Sequence, residues 1–157
     1  MKKTIAFIPF VSLLVISVGF LSGCDKDEDS DDMYTISTTM TPQQETGTLV
    51  GNPSGSGTTT GTYNASTNSL QYNVSWTGLT AAASAGHFHG PALAGATASP
   101  VVTFTLNNTG TSGTASATVT LTDAQETDLL DGKWYVNIHT PTNTAGEIRG
   151  QVAATPQ

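Results

Sequence analysis

The chain's three histidines lie in two short segments, Gly86-His87-Phe88-His89-Gly90-Pro91-Ala92 and Trp134-Tyr135-Val136-Asn137-Ile138-His139-Thr140. In an extended strand successive side chains alternate, so His87 and His89 project to one side and Phe88 to the other. In the second segment Val136 and Ile138 are the residues to turn inward, which leaves Tyr135, Asn137 and His139 on the opposite face. Two imidazoles at i and i+2, joined by a third from a neighbouring strand, can close on Zn²⁺ or Cu²⁺. The ring nitrogens of such a site should lie within about 4 Å of one another, because Zn–N bonds run near 2 Å. The competing reading makes the same histidines structural, hydrogen-bonded to loop carbonyls.

Near the end of the chain Ile148 and Val152 are the inward residues, so Glu147, Arg149 and Gln151 share the other face. Pairing these two segments as a hairpin sets His139 opposite Glu147, Asn137 opposite Arg149 and Tyr135 opposite Gln151. In the metal reading Glu147 orients the His139 imidazole, and Glu147 or Asn137 is the candidate fourth ligand. In the structural reading the ladder simply locks the terminal hairpin. Arg149 is expected to pair with Glu147 or another carboxylate, the alternative being a residue that binds an anion.

No catalytic residue is assigned. The chain has no phosphate-binding glycine loop and no Gly-x-Ser-x-Gly elbow. Asp123, Glu126, Asp128 and Asp131 read as the solvated face of a helix. One cysteine excludes an internal disulfide and a thiolate zinc cage. Twelve acids against five Lys and Arg, a net charge of −7, exclude nucleic-acid binding, which requires clustered cations. The length of 157 residues fits one domain, and a charged fraction of 11% with abundant Thr, Ser, Gly and Asn suits a secreted all-β protein.

The N-terminus reads as an address. Met1-Lys2-Lys3 precedes an uncharged run from Thr4 to Leu21, which fits a secretory signal better than a retained transmembrane helix. Leu21-Ser22-Gly23-Cys24 decides between them, because it resembles the bacterial lipobox. Residues 1–23 are then a lipoprotein signal peptide, and Cys24 is the acylated first residue of the mature chain, held at a membrane by its lipid (palmitate-type) chains. Residues 24–33 carry six of the twelve acids and read as an extended tether. The acidic block resembles the stretch behind the lipidated cysteine of surface-exported lipoproteins of the Bacteroidetes type. Asp25 directly after Cys24 resembles the enterobacterial signal for inner-membrane retention. An outer-membrane, surface-exposed location in the cell envelope is the expectation preferred over the inner membrane.

The body from residue 34 to 153 reads as short strands with one helix, and 154–157 as a tail. Expected strands cover 34–38, 58–63, 69–76, 100–106, 113–121, 133–139 and 147–153. Leu70, Tyr72, Val74 and Trp76 alternate with polar residues, the pattern of a half-buried strand paired across residues 64–68. Segments 100–106 and 113–121 are expected to pair across an Asn/Gly turn. Thr122 with Gln125 forms a capping box and Gly132 a stop, which predicts a short surface helix with Leu129 and Leu130 tucked down. Trp76 and Trp134 are assigned to the core. This spacing predicts an all-β fold, a β-sandwich or a closed Greek-key barrel.

Taken together, His-Phe-His-Gly-Pro-Ala at 87–92, Ser99-Pro100-Val101-Val102, Tyr135-Val136-Asn137-Ile138-His139-Thr140 and Gly146-Glu147-Ile148-Arg149-Gly150-Gln151 resemble the CHRD domain, named from animal chordin. The similarity spans roughly Tyr34 to Val152. Two elements depart from the family pattern: the opening motif survives loosely as Met40-Thr41-Pro42-Gln43-Gln44-Glu45, and a later glycine pair as Gly95-Ala96-Thr97-Ala98. The resemblance implies an immunoglobulin-like β fold and no defined activity. His-x-His on a β-sandwich also resembles copper-zinc superoxide dismutase, but three histidines cannot build its bimetallic set. The expected protein is a monomeric, non-enzymatic, membrane-anchored lipoprotein with a binding or structural domain for a protein or glycan partner. Its alternative is an envelope protein binding Cu or Zn through His87, His89 and His139.

Overall fold

A computed structural model describes residues 32–157. The expectations for the signal peptide, for Cys24 and for the tether as far as Asp31 fall outside the described residues. Within them the chain forms two antiparallel sheets stacked on one core. Its elements are β1 (Met33–Met40), a 3-10 turn (Pro42–Gln44), β2 (Ser56–Asn64), β3 (Ser69–Thr77), β4 (Ala85–His89), β5 (Pro100–Thr103), β6 (Gly113–Thr120), α1 (Asp123–Leu130), β7 (Tyr135–His139), β8 (Ile148–Gln151) and β9 (Ala153–Pro156). One sheet runs β6-β3-β2-β1-β9 and the other β5-β4-β7-β8. The expected all-β sandwich with one short helix is the observed architecture.

The alternation in β3 works as the sequence predicts. Leu70, Tyr72, Val74 and Trp76 are buried while Gln71, Asn73 and Ser75 are exposed. The facing sheet contributes Phe88, Val136, Ile138 and Ile148, and Phe88 packs against the rings of Tyr72, Phe104 and Trp134 at 5.1–5.7 Å. Rings at these spacings add to the burial of their own area. Helix α1 forms as expected: the Thr122 side chain accepts from Gln125 N, the Gln125 side chain accepts from Thr122 N, and Leu129 is fully buried.

Two expectations about pairing are corrected, and loops cover a face whose burial the strand pattern alone does not state. Segments 100–106 and 113–121 do not form a hairpin. Pro100–Thr103 pairs with β4 in one sheet, and Gly113–Thr120 with β3 in the other, with only a Leu106–Ala115 bridge between them. Phe104 enters the core where the chain crosses between layers, and that burial outweighs a local turn. The last strand does not run unbroken from 147 to 153. It stops at Gln151, buries Val152, and resumes as β9 at the edge of the opposite sheet against β1, so most of the expected tail is a strand. Finally, the outer face of the four-stranded sheet is not open to water. Tyr135, Asn137 and Arg149 are as buried as the apolar residues on the inner face, because loops roof them.

Candidate metal centre

Those loops are held by the polar ladder itself. Gln151 Nε2 donates to the carbonyls of Ala92 and Gly132 at 2.9 and 2.8 Å. Arg149 Nη2 donates to Ala96 O at 2.7 Å, and the Tyr135 hydroxyl lies 3.3 Å from both the amide and the carbonyl of Ala98. The segment after His89 is thereby tied across the strands. The register agrees with the sequence at two rungs, Asn137 opposite Arg149 and Tyr135 opposite Gln151. The third rung differs. β8 begins at Ile148, and the Glu147 side chain turns away from His139. Its carboxylate accepts from Thr80 N and Oγ1 at 2.6 Å each, from Thr140 Oγ1 at 2.7 Å and from Asn143 Nδ2 at 3.1 Å. Burial alone would raise its pKa, but these bonds to the charged form outweigh burial and hold it below the usual carboxylate range. Glu147 therefore fastens two loops and touches none of the histidines.

The histidines do come together. One ligand nitrogen from each of His87, His89 and His139 lies within 4.8 Å of the other two, looser than the roughly 4 Å expected of a closed site. The closest contact is His87 Nδ1 to His139 Nε2 at 3.0 Å. Two imidazoles on one tetrahedral zinc would stand about 3.3 Å apart, given Zn–N bonds of about 2.0–2.1 Å. That pair is already at coordination spacing, and drawing in the widest pair needs a shift of about 1.5 Å.

Backbone carbonyls fix the tautomers. His139 Nδ1 lies 2.9 Å from Thr144 O and His89 Nδ1 lies 2.9 Å from Ala98 O. A carbonyl only accepts, so neutral His139 carries its hydrogen on Nδ1 and keeps a lone pair on Nε2, whereas neutral His89 has one hydrogen for two facing oxygens. Neutral rings are favoured. Burial lowers the pKa of all three, with His87 lowered to about 4 by burial and then by the charges of His139 and His89. The same tie from Nδ1 to a carbonyl orients imidazoles that bind metals through Nε2.

His89 is the informative ring. Its Nε2 faces Asn137 Oδ1 at 3.0 Å, and that oxygen is fixed in place because Asn137 Nδ2 donates to Ala145 O at 3.2 Å. A neutral His89 that gives its one hydrogen to Ala98 turns a lone pair on Nε2 toward a second lone pair on Oδ1. Such an arrangement is repulsive unless the ring is protonated, which burial opposes, or an electrophile sits there. His89 also stacks on Tyr135, ring centroids 4.6 Å apart and nearly parallel, and the Arg149 guanidinium stacks on Tyr135 at 3.5 Å. Tyr135 sits between these partners because its strand, β7, lies between β4 and β8.

The expected ion pair of Arg149 is absent: among the described residues only Lys133 has a carboxylate within 4.0 Å. Burial forces Arg149 against an aromatic face instead, the geometry that suits a planar, weakly hydrated cation. One participant escaped the sequence reading. Glu45 lies under Gly146, where an added Cβ would clash with its Oε1 and with Asn137 Nδ2. The available signal was charge, since Glu45 and Glu147 are the only acids from Met33 onward that lie outside the helical segment. Thr80, Asn143 and the carbonyls of Ala98 and Thr144 carried no signal, because they reach the site only through tertiary folding.

No curated protein and no solved structure matches the chain. A family model does. It covers residues 36–152, from the core isoleucine of β1 through both histidine segments to Val152, and on that match the chain belongs to the CHRD domain family.

Proposed function

We propose that this protein is a lipid-anchored module of the bacterial cell envelope whose CHRD domain holds one zinc or copper ion through His87, His89 and His139. The observation that carries the reading is the facing pair of acceptors at His89 Nε2 and Asn137 Oδ1, set beside two further imidazoles whose ligand nitrogens are 3.0 Å apart. A cation there turns the repulsion into coordination, with Asn137 Oδ1 as the fourth donor. His87 contributes Nδ1. In the metal-free protein that nitrogen donates its hydrogen to His139 Nε2, so binding needs a change of tautomer, with the proton moving to His87 Nε2, besides the shift of about 1.5 Å that closes the widest pair. The membrane reading rests on Leu21-Ser22-Gly23-Cys24 and on the acidic residues that follow.

Metal analysis of protein purified without a polyhistidine tag tests the centre. About one equivalent of metal is expected, falling at least tenfold in His87→Ala. Stoichiometric metal unaffected by that substitution would sink the site. For the anchor, mass spectrometry of the membrane-extracted protein should find a diacylated or triacylated Cys24 at the mature N-terminus, and Cys24→Ser should release the protein from membranes.

A second reading keeps the domain purely as a binding or structural module for a protein or glycan. What favours it is that each histidine already makes a hydrogen bond: His89 and His139 hold loop carbonyls, and His87 joins β4 to His139 on β7. It predicts that His87→Ala lowers the melting temperature with no metal to lose.

A further inference from the structure

Arg149 presents a problem of its own, separate from the histidines. A guanidinium that is 2% exposed ordinarily has a carboxylate beside it, because an unpaired buried charge is costly. Here the protein supplies one carbonyl and one aromatic face. The nearest candidate counter-ion, Glu45, lines the same cleft yet makes no ion pair with it, and Glu45 Oε1 is buried with no hydrogen-bond partner. Between them lies a cleft of about 310 Å³ that Thr97, Asn137 and Thr144 also line. A second depression reaches Glu45 and Arg149 from the side of Gln43 and Gln151, so the pair stands between two openings to solvent.

We propose that this cleft is a binding site for a small polar carboxylate. The ligand's carboxylate accepts from the free N–H edge of Arg149, and the Glu45 carboxyl meets its other end. A guanidinium edge presents parallel donors that match the two oxygens of a carboxylate, and stacking on Tyr135 fixes the plane of that edge in advance. The threonine hydroxyls and the Asn137 amide suit a ligand with hydroxyl groups rather than an alkyl chain. The volume lies at the small end of ligand pockets, which run about 300–1,000 Å³, and suits a small molecule. This inference stands apart from the metal reading, although Tyr135 and Asn137 border both sites.

Titration with acetate, at constant ionic strength in chloride, tests it by NMR of the arginine side-chain Nε–H resonance. The only other arginine-type signal to be confused with Arg149 is none, since it is the chain's sole arginine. A saturable shift with a dissociation constant in the millimolar range is expected for so small a probe. Glu45→Gln, which removes a competing negative charge, should bind acetate at least threefold tighter at pH 8, and Arg149→Lys at least tenfold more weakly. His87→Ala should bind acetate as the parent does, whereas an anion sitting on a histidine-bound metal would be lost. Overturning results are a wild-type Nε–H resonance that does not respond to 50 mM acetate (about the top of a practical millimolar titration), or one that responds to inorganic phosphate but not to acetate. Unchanged acetate affinity in folded Arg149→Lys would equally reject the site. The wild-type titration decides the matter even where a variant fails to fold.

Discussion

Replacing Glu147 by Gln separates a fastening role from a metal role. The carboxylate oxygen Oε2 accepts from Thr80 Oγ1, Thr140 Oγ1 and Asn143 Nδ2, and Oε1 accepts from Thr80 N. Glutamine keeps one acceptor oxygen. If that oxygen stays with Thr80 N, an NH₂ group faces three former donors. The two hydroxyls can rotate to accept, but Asn143 Nδ2 cannot. The Asn143 bond is lost at about 1.5 kcal/mol and the two hydroxyl bonds lose their charge assistance at about 0.7 kcal/mol each, so the cost is about 3 kcal/mol. For a domain of this size about 4 °C of melting temperature accompanies each kcal/mol, giving a fall of about 12 °C. The difference should shrink in acid. Because the folded-state pKa of Glu147 lies below its unfolded value, its contribution is present above the unfolded pKa and disappears as pH falls through the folded one. Thermal melts by circular dichroism at pH 7 and pH 3, with metal titrations on the folded variant, provide the assay. Metal affinity should change less than threefold. A melting temperature within about 3 °C of the parent, or a tenfold loss of metal at unchanged stability, would refute the reasoning and return Glu147 to the histidine site.

Three further outcomes are expected. Gly86→Ala places a Cβ 2.7 Å from Phe104 Cδ2 and 2.8 Å from Ile138 Cδ1 in the core behind the His87 strand, so urea unfolding should show a loss of about 1–3 kcal/mol. Glu45→Gln should change the pH profile of stability: the folded pKa of about 7 lies above the ordinary 4.5, so the wild type loses Glu45's contribution as pH rises through that interval. The variant should therefore gain on the parent between pH 4.5 and 7.5, and parallel profiles would contradict this. His87 acts in the opposite sense. Its lowered pKa of about 4 costs stability as pH falls from 6.5, so His87→Ala should flatten the acid side of the profile.

Much of this was legible in the sequence because the period of two carries the facing of every side chain. The alternation of Leu70, Tyr72, Val74 and Trp76 marks a core strand, and the same period puts His87 and His89 on one side of their strand, where His139 joins them. The capping box Thr122–Gln125 is a local device and formed as read. What failed was long-range. Whether residues 100–103 pair with 113–120 or with β4 depends on where Phe104 is buried, which no local turn signal states. Glu147 shares the facing of Arg149 in the sequence pattern, yet β8 begins only at Ile148, one residue after Glu147, so that facing does not apply to it. The partner of Arg149 was likewise inferred from charge alone. Its actual surroundings are Tyr135 on the neighbouring strand β7 and the carbonyl of Ala96 in a loop that folds back over the sheet.

Whether three imidazoles gather one metal ion is read out by X-ray absorption on the untagged protein loaded with one equivalent of zinc. The spectrum should show a shell of nitrogen and oxygen neighbours at about 2.0 Å with the outer-shell pattern of about three imidazoles, reduced to two in His139→Ala. A spectrum of hydrated or carboxylate-bound zinc, identical in the parent and in His139→Ala, would contradict it.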